Sequence, residues 1–329
     1  MMNLHLNFCI VVLRKTAQLL VKTGCVFLFA TFAGLHLAAA HAVFDRALIG
    51  SGQILRVSIV IEHGCNGSPT TAVRAILPEG LIATNVFAAD GMRVETKKSR
   101  FDRNWSGPDG NVSEGIKEII WSGAAVPDKK RGEFPFEIFV SSDLPLENSL
   151  AVPVIQNCEN GSQSWIEQAT TPEAQDRLKS PAPLLRVVKP EQAHLDIRNG
   201  RSRVTPNGAP VAGGYITIRN MSDKPDRLVA ATLPLAARAE IHEMSMTDGI
   251  MRMRALDKGL EIPAGGTVEL KQGSYHLMFI KPSRAFVEGE WIDGTLTFER
   301  AGTLPVRFKV EAVSGTNQQS GAGHQHHAH

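Results

Sequence analysis

Apolar residues recur at every second position in several short segments of this chain, and that spacing predicts strands. From 54 to 61 apolar side chains alternate with polar ones such as Arg56, which is the period of a half-buried strand. Gly, Pro, Asn and Asp fill the breaks between such runs, and no helical pattern of any length competes. We therefore expect an antiparallel β-sandwich over 41–170. Its further strands are predicted at 72–77, 116–121, 134–140 and 150–156.

A second β region follows a stretch that lacks the alternation of apolar and polar residues. Prolines and scattered charge dominate 171–192, apart from one short helical pattern at 173–179, and we interpret the stretch as a linker. Strand patterns return within 193–313, where they predict another small sandwich or barrel. The final segment, 314–329, is Ser, Gly, Gln, Ala and His, which cannot bury a core, so we expect a disordered tail. The fold class predicted is all-β, with two domains in tandem.

The amino-terminal segment 1–40 has the layout of a secretory signal peptide. It carries three basic residues and no acidic one, followed by an apolar run that ends in alanines. That run is short and interrupted, which disfavours a membrane anchor. We expect a soluble exported protein in the periplasm. Cleavage after Ala40 gives a chain starting at His41, whereas cleavage after Ala42 gives one starting at Val43, and both fit the small-residue rule.

The charge balance and the cysteine content of the exported chain indicate which partners to expect and whether a disulfide forms. Removing the signal leaves 32 Lys and Arg against 33 Asp and Glu, so neither nucleic acid nor an anionic membrane is an expected partner. Two of the four cysteines leave with the signal. We predict that the remaining pair, Cys65 and Cys158, forms a disulfide in the oxidising compartment.

Four of the nine methionines lie between 241 and 253, around Asp248-Gly249. Asp-Gly between alternating segments is the strongest short hairpin signal. If these two residues form the turn, two pairs of methionines face each other: Met246 with Met251, and Met244 with Met253. His242 then lies diagonally beside Met253 on the same face, within reach of a shared ligand.

Downstream, His276 and Met278 are two positions apart in a strand-like run, so both point to one side of it. Two histidines and two methionines thus converge. Thioether sulfur and imidazole suit Cu(I), whereas zinc sites normally use thiolate, imidazole or carboxylate. The alternative is that the methionines fill a core. The paired arrangement favours the ligand role.

These residues resemble the copper motif of the PCuAC family of periplasmic copper chaperones: His242, Met253 after ten intervening residues, and His276-x-Met278. The flanking segments 249–253, 262–266 and 296–299 are similar too, and the resemblance covers 193–313. It implies Cu(I) bound by the four residues, with Met244 beside them. It also implies delivery to a periplasmic acceptor such as cytochrome oxidase or its assembly factors.

The first domain resembles the YcnI-like copper-binding domain. Matching features are His41 at the expected start, His63-Gly64-Cys65, 75–80, 119–123, and Cys158 followed by Trp165. The resemblance implies that the amine and ring of His41 hold Cu(II), with Glu133 as a further ligand and Trp165 as a cover. Glu137 lies on the same stretch and stays open as the alternative carboxylate. We interpret His63 as a hydrogen-bonded loop residue.

The tail adds four imidazoles on a flexible end, at His324, His326, His327 and His329. Such a segment captures metal ions loosely, and its interruption by Gln325 and Ala328 argues against an affinity tag. We expect it to gather copper for the folded sites.

The sequence therefore predicts a periplasmic copper chaperone without enzymatic activity, holding Cu(II) in the first domain and Cu(I) in the second. Two alternatives remain. A copper-sequestering tolerance protein would use identical ligands. A copper-dependent enzyme that cleaves polysaccharides oxidatively would need a second histidine to complete its amino-terminal site.

Overall fold

The computed structural model describes residues 42–168, 174, 177–247 and 250–312, which belong to one compact unit. The predicted signal segment 1–40, His41, Asp248-Gly249 and the predicted tail 314–329 lie outside the described residues. Within the described residues the chain is β-structure with short turns, so the predicted all-β class is confirmed. None of the helical turns described has the length and apolar content needed to cross a membrane.

Eleven strands lie within the described residues 42–168. They are β1 (Val43–Phe44), β2 (Leu48–Gly50), β3 (Ile54–Ile61), β4 (Thr70–Ile76), β5 (Leu81–Val86), β6 (Arg93–Gly107), β7 (Gly110–Val126), β8 (Gly132–Val140), β9 (Ser149–Ala151), β10 (Val154–Cys158) and β11 (Ser162–Trp165). One antiparallel sheet has the order β1-β3-β8-β5, and a second has the order β11-β10-β4-β7-β6.

The first core is built from the alternating residues of these two sheets. On β8, for example, Phe134 and Phe136 are fully buried, while Glu133 between Gly132 and Phe134 is exposed. The Trp121 ring of β7 meets Phe134 edge-on, with ring centroids 5.6 Å apart. Large rings packed in this way bury much apolar area, and they hold the outward residues of β8 in a fixed row.

The predicted disulfide between Cys65 and Cys158 is present, with Cα atoms 5.9 Å apart. It joins the loop after β3 to the end of β10 across 93 residues of sequence. Closing so long a loop restricts the unfolded chain. The backbone N–H of Cys65 also donates to the sulfur of Cys158, at 3.0 Å.

Part of the predicted linker is folded. Strand β12 (Leu184–Val188) and a 3-10 helix (Pro190–Gln192) both fall within 171–192. Strand β12 pairs in parallel with β2 and antiparallel with β9. Prolines on both sides hide its strand pattern in the sequence, and its partners lie far away in the chain. Of the helical pattern at 173–179, Ala174 is helical, and most of its neighbours lie outside the described residues.

The remaining strands are β13 (Leu195–Arg203), β14 (Val211–Asn220), β15 (Asp226–Thr232), β16 (Ala236–Thr247), β17 (Ile250–Ala255), β18 (Leu260–Ile262), β19 (Thr267–Leu270), β20 (His276–Pro282), β21 (Trp291–Phe298) and β22 (Gly302–Glu311). They form one sheet with the order β17-β16-β20-β14-β13-β22-β21-β15-β18, and β19 pairs with β14. Its inner face buries Leu277, Phe279 and Phe308.

The two β-domains are joined by more than the chain connection. Leu48 of β2 and Val188 of β12 pack in the second core. The Arg198 guanidinium on β13 donates to the carbonyl of Phe44, at 2.8 Å, and the N–H of Ala47 donates to the Asp196 carboxylate, at 3.2 Å. The beginning of the first domain is therefore held by the second.

A buried carboxylate in the second domain accepts four hydrogen bonds and so joins three segments of the chain. Asp226 is buried, and one of its oxygens accepts the N–H groups of Arg227 and Arg300, at 2.7 and 2.9 Å. The other oxygen accepts the N–H of Ala301, at 3.1 Å, and the Nε2–H of His194, at 2.9 Å. Burial alone would raise the pKa of Asp226, but these hydrogen bonds together hold it below its usual value.

Replacing Asp226 with Asn should destabilise the protein, because an amide offers one acceptor oxygen and turns its own N–H groups toward backbone donors. We expect Asp226→Asn to lower the free energy of unfolding at neutral pH by about 2–4 kcal/mol. The folded-state pKa is depressed, so this stabilisation is complete above the unfolded pKa of about 4 and is lost as the pH falls through the folded value. Urea unfolding at a series of pH values measures it.

The exposed neighbour Asp223 supplies the matched control, and Asp223→Asn should leave stability nearly unchanged. A difference in the free energy of unfolding between wild type and Asp226→Asn that stays constant down to strongly acidic pH would contradict this role of Asp226.

Candidate functional site

The His/Met segment folds as the predicted hairpin. Strands β16 and β17 pair with Met246 opposite Met251 and Met244 opposite Met253. His242 lies opposite Ala255, which makes Met253 its diagonal neighbour on the same face. The register expected from the sequence is therefore confirmed, although the turn residues themselves are not described.

Strand β20 lies on the other side of β16 and completes the group. His242 is opposite His276, and their ring centroids are 5.8 Å apart. Met278 is the second residue beyond His276 and lies opposite Glu240 of β16. Since paired residues and every second residue share a face, both histidines and Met278 lie on the face that carries Met244 and Met253. The structure thus brings the four predicted residues onto one surface.

Hydrogen bonds leave a free nitrogen on each imidazole. His276 Nδ1 is 3.0 Å from the Ser274 carbonyl, which can only accept, so Nδ1 carries the proton and Nε2 keeps its lone pair. Hydrogen bonds from Arg238 and His242 hold the pKa of Glu240 below its usual value. Its carboxylate lies 2.8 Å from His242 Nε2, so that nitrogen donates and Nδ1 keeps the lone pair.

The Nδ1 atom of His242 is buried and has no hydrogen-bond partner within the described chain. A buried polar atom without a partner costs free energy, so each such atom calls for an explanation. A metal ion bound to Nδ1 would remove that cost. Fixing the other ring nitrogen by a carboxylate or carbonyl is also the usual way in which proteins orient metal-binding histidines.

Exposure decreases from the edge of this face inward. Met253 is 50% exposed, whereas His276 is 7% exposed. Next to Met278 on β14 is Gly213, which has no side chain, and a Cβ built there would lie 2.7 Å from the Tyr215 hydroxyl. The site is therefore open on the hairpin side and covered toward β14.

Soft donors dominate this surface. Within the ranges that the structure describes, no group of three or more His, Cys, Asp and Glu side chains is arranged to hold a metal ion. The thioethers of Met253 and Met278 lie on the same face as the two imidazoles. Cu(I) is the common biological ion that accepts thioether and imidazole ligands together.

Sequence reasoning missed the residues that orient the imidazoles. Glu240 precedes His242 by two positions on a strand, so the same alternation that placed the methionines also places this carboxylate on the ligand face. The Ser274 carbonyl is a backbone group in the loop before β20, and no side-chain pattern indicates it.

Of the candidate copper-site residues in the first domain, the structure describes Glu133, Glu137 and Trp165 but not His41. Val43, two residues after His41, pairs with Val60, and Val60 pairs with Glu133. Glu133 is therefore in the row nearest the chain start, where its carboxylate also forms an ion pair with Arg131, at 3.1 Å. Glu137 is on the same outward face, four residues farther along β8.

Trp165, predicted as a cover, and His63, predicted as a loop residue, both lie within the described residues. Trp165 is only 3% exposed and packs in the first core. His63 Nδ1 donates to the carbonyl of Gly64, at 2.7 Å, so its hydrogen-bonded loop role is confirmed.

Two families match consecutive parts of the chain. Residues 41–187 match a family described as a domain of unknown function, DUF1775, and residues 195–310 match a lipoprotein family described as LpqE-like. Each match covers less than half of the 329 residues. A protein of Leifsonia xyli subsp. xyli named as a lipoprotein, Lxx21020, is 29% identical over 111 residues, which are 34% of this chain and 67% of that protein.

Three solved structures are similar to parts of the chain. The copper-bound PCuAC domain from PmoF2 has 23% identity and a TM-score of 0.32, with 36% of this chain and 94% of that chain covered. The Cu(I) form of DR1885 from Deinococcus radiodurans has 30% identity and a TM-score of 0.29, with coverages of 34% and 75%. A Nocardia farcinica protein with an immunoglobulin-like fold has 18% identity and a TM-score of 0.35, with coverages of 45% and 99%.

The two imidazoles should be found in opposite tautomers in the metal-free protein. Long-range proton–nitrogen NMR spectra at pH 8 should show His242 protonated on Nε2 and His276 protonated on Nδ1, because their acceptors differ. Glu240→Ala should remove the preference at His242 and leave His276 unchanged. The same tautomer at both histidines would contradict this arrangement.

Proposed function

We propose that this chain is an exported copper-binding protein that holds Cu(I) between His242, His276, Met253 and Met278 and passes it to an acceptor. One observation carries the proposal: the buried, unpartnered Nδ1 of His242 lies beside a second imidazole with a free nitrogen, on a face lined with methionines. Neutral nitrogen and sulfur donors of this kind favour a soft, singly charged cation. The motif also resembles that of the PCuAC copper chaperones.

Transfer to an acceptor is supported by the unequal burial of the ligands. An acceptor must contribute a ligand before the carrier releases its own, so at least one carrier ligand has to be accessible. Met253, half exposed at the hairpin edge, meets that need, whereas His276 does not. We propose that exchange begins at Met253 and that the histidines release the ion last.

Export is supported by three features of the chain. The segment 1–40 has a signal-peptide pattern, Cys65 and Cys158 are bridged as expected in an oxidising compartment, and the second domain matches a family of lipoproteins. We therefore place the protein in the periplasm, with cytochrome oxidase or its assembly factors as the proposed acceptors.

We propose a second copper site at the amino terminus. If cleavage falls after Ala40, the amine and ring of His41 together chelate Cu(II), and Glu133, in the strand row of Val43 and Val60, is the proposed carboxylate ligand. Trp165 is the proposed cover. Cleavage after Ala42 would remove this site. The tail imidazoles His324, His326, His327 and His329 are proposed to collect copper for both sites.

We do not propose an enzymatic role for the amino-terminal site. An oxidative copper enzyme of the type considered needs a second histidine beside the amino-terminal one. His63 lies in the loop after β3, where its Nδ1 donates to the carbonyl of Gly64, and we interpret it as a loop residue. His194, in the second domain, is bonded to the buried Asp226. Sequestration without an acceptor remains the second candidate because it needs the same ligands. Loss of oxidase activity at low copper in a deletion strain supports delivery, and copper sensitivity alone supports sequestration.

Substitutions at the His/Met site should weaken Cu(I) binding. We expect Met253→Leu to raise the dissociation constant for Cu(I) by about tenfold to a hundredfold, and His276→Ala to raise it further. Anaerobic competition with a coloured Cu(I) chelator measures both values. Met221→Leu, in a loop away from this face, is the matched control and should bind as wild type does. Equal affinities in all four proteins would overturn the proposed site.

A one-residue extension tests the amino-terminal site. Placing Ala before His41 keeps the imidazole but removes the terminal amine from that residue, so we expect the tightly bound Cu(II) signal in electron paramagnetic resonance to disappear. Glu133→Gln should weaken that signal, whereas Glu137→Gln should leave it unchanged. Unaltered Cu(II) binding in the extended protein would contradict the site, and Cu(I) binding at the second domain serves as the control.

A further inference from the structure

The hairpin carries a second pair of methionines outside the proposed Cu(I) site. Met246 and Met251 are directly opposite each other and are 67% and 58% exposed. Directly paired residues place their Cβ atoms about 4.5–5.5 Å apart, so two flexible thioethers can bring their sulfurs to one ion. Their exposure excludes a role in filling the core.

The two pairs form successive rungs on one face. Met246 and Met251 are each two residues from the inner rung, Met244 and Met253, a separation of about 7 Å along a strand. The arginines between and beside them alternate to the opposite face, where Arg254 pairs with Glu243. The path along the methionine face is thus lined by neutral sulfur donors.

Exposure falls steadily along this path. It is 67% at Met246, 50% at Met253 and 7% at His276. One exposed methionine on a surface needs no explanation. Here, however, all three exposed methionines of the described chain lie on the same face, in register, and lead to the two histidines.

We propose that Met246 and Met251 form an outer Cu(I) site through which copper enters and leaves the inner site. The inference rests on the proposed function of the inner site. Two thioethers hold Cu(I) weakly, and a third ligand comes from the donor or the acceptor. Each step replaces one ligand of Cu(I) by another, so the ion keeps its charge and no electron is transferred. The ion then moves along the sulfurs of Met244 and Met253 to the histidines.

An outer site on the path has a kinetic signature. It lowers the barrier for both entry and exit, and it leaves the free energy of the ion at the inner site unchanged. Its removal must therefore slow uptake and release by the same factor while the dissociation constant stays the same. A ligand of the inner site would instead change the dissociation constant.

The double variant Met246→Leu/Met251→Leu tests this in the full chain, since leucine preserves the apolar volume. Stopped-flow mixing with Cu(I) bound to a coloured chelator, under anaerobic conditions, gives the rates in both directions. We expect both rates to fall about tenfold with an unchanged dissociation constant. Met221→Leu is the control. Unchanged rates in the double variant, with the inner site loading normally, would overturn the proposal.

A second measurement examines the outer site directly. In His242→Ala/His276→Ala protein, one equivalent of Ag(I), which mimics Cu(I) without redox chemistry, should shift the methyl resonances of Met246 and Met251. Absence of that shift overturns the outer site. Failure of wild-type protein to bind Cu(I) at the histidines would instead refute the proposed function, and the Ag(I) titration would still report on the outer pair alone.

Discussion

The register of β16 against its two neighbours is the constraint on which the site depends. Side chains in a strand alternate between faces, so a slip of one residue would turn His242, Met244 and Met246 toward the core. The slip is resisted by residues of the same strands. Leu277 and Phe279 are fully buried and Ile241 nearly so, and exposing each large apolar side chain costs about 1.5–3 kcal/mol. Core packing on one face thereby fixes the ligand positions on the other.

The second condition is the orientation of the imidazoles. A carbonyl oxygen before β20 and a carboxylate on β16 each take one ring N–H, which leaves one lone pair on each ring for an ion. Both rings are thereby oriented without another charged ligand. The thioethers complete a donor set that discriminates among metals by softness rather than by charge.

The sequence predicts the His/Met face well because every step of that reasoning is local. Asp248-Gly249 indicates the turn, the turn sets the pairing, and alternation assigns the face. The sequence predicts a linker where strand β12 lies, because the partners of this strand are far away in the chain. Its pairing with β2 joins Arg186 to Leu48, and nothing near 184–188 in the sequence shows that such a partner exists. Glu240 was missed although the same alternation places it on the methionine face, whereas the Ser274 carbonyl is a backbone group that carries no sequence signal.

X-ray absorption spectroscopy of the full chain loaded with one equivalent of Cu(I) tests the central claim most directly. The account predicts both nitrogen and sulfur neighbours around the copper, with the sulfur contribution reduced in Met253→Leu and the nitrogen contribution reduced in His276→Ala. A first shell made only of nitrogen and oxygen, unchanged in both variants, would contradict it, because the ion would then be bound elsewhere than on the methionine face of β16, β17 and β20.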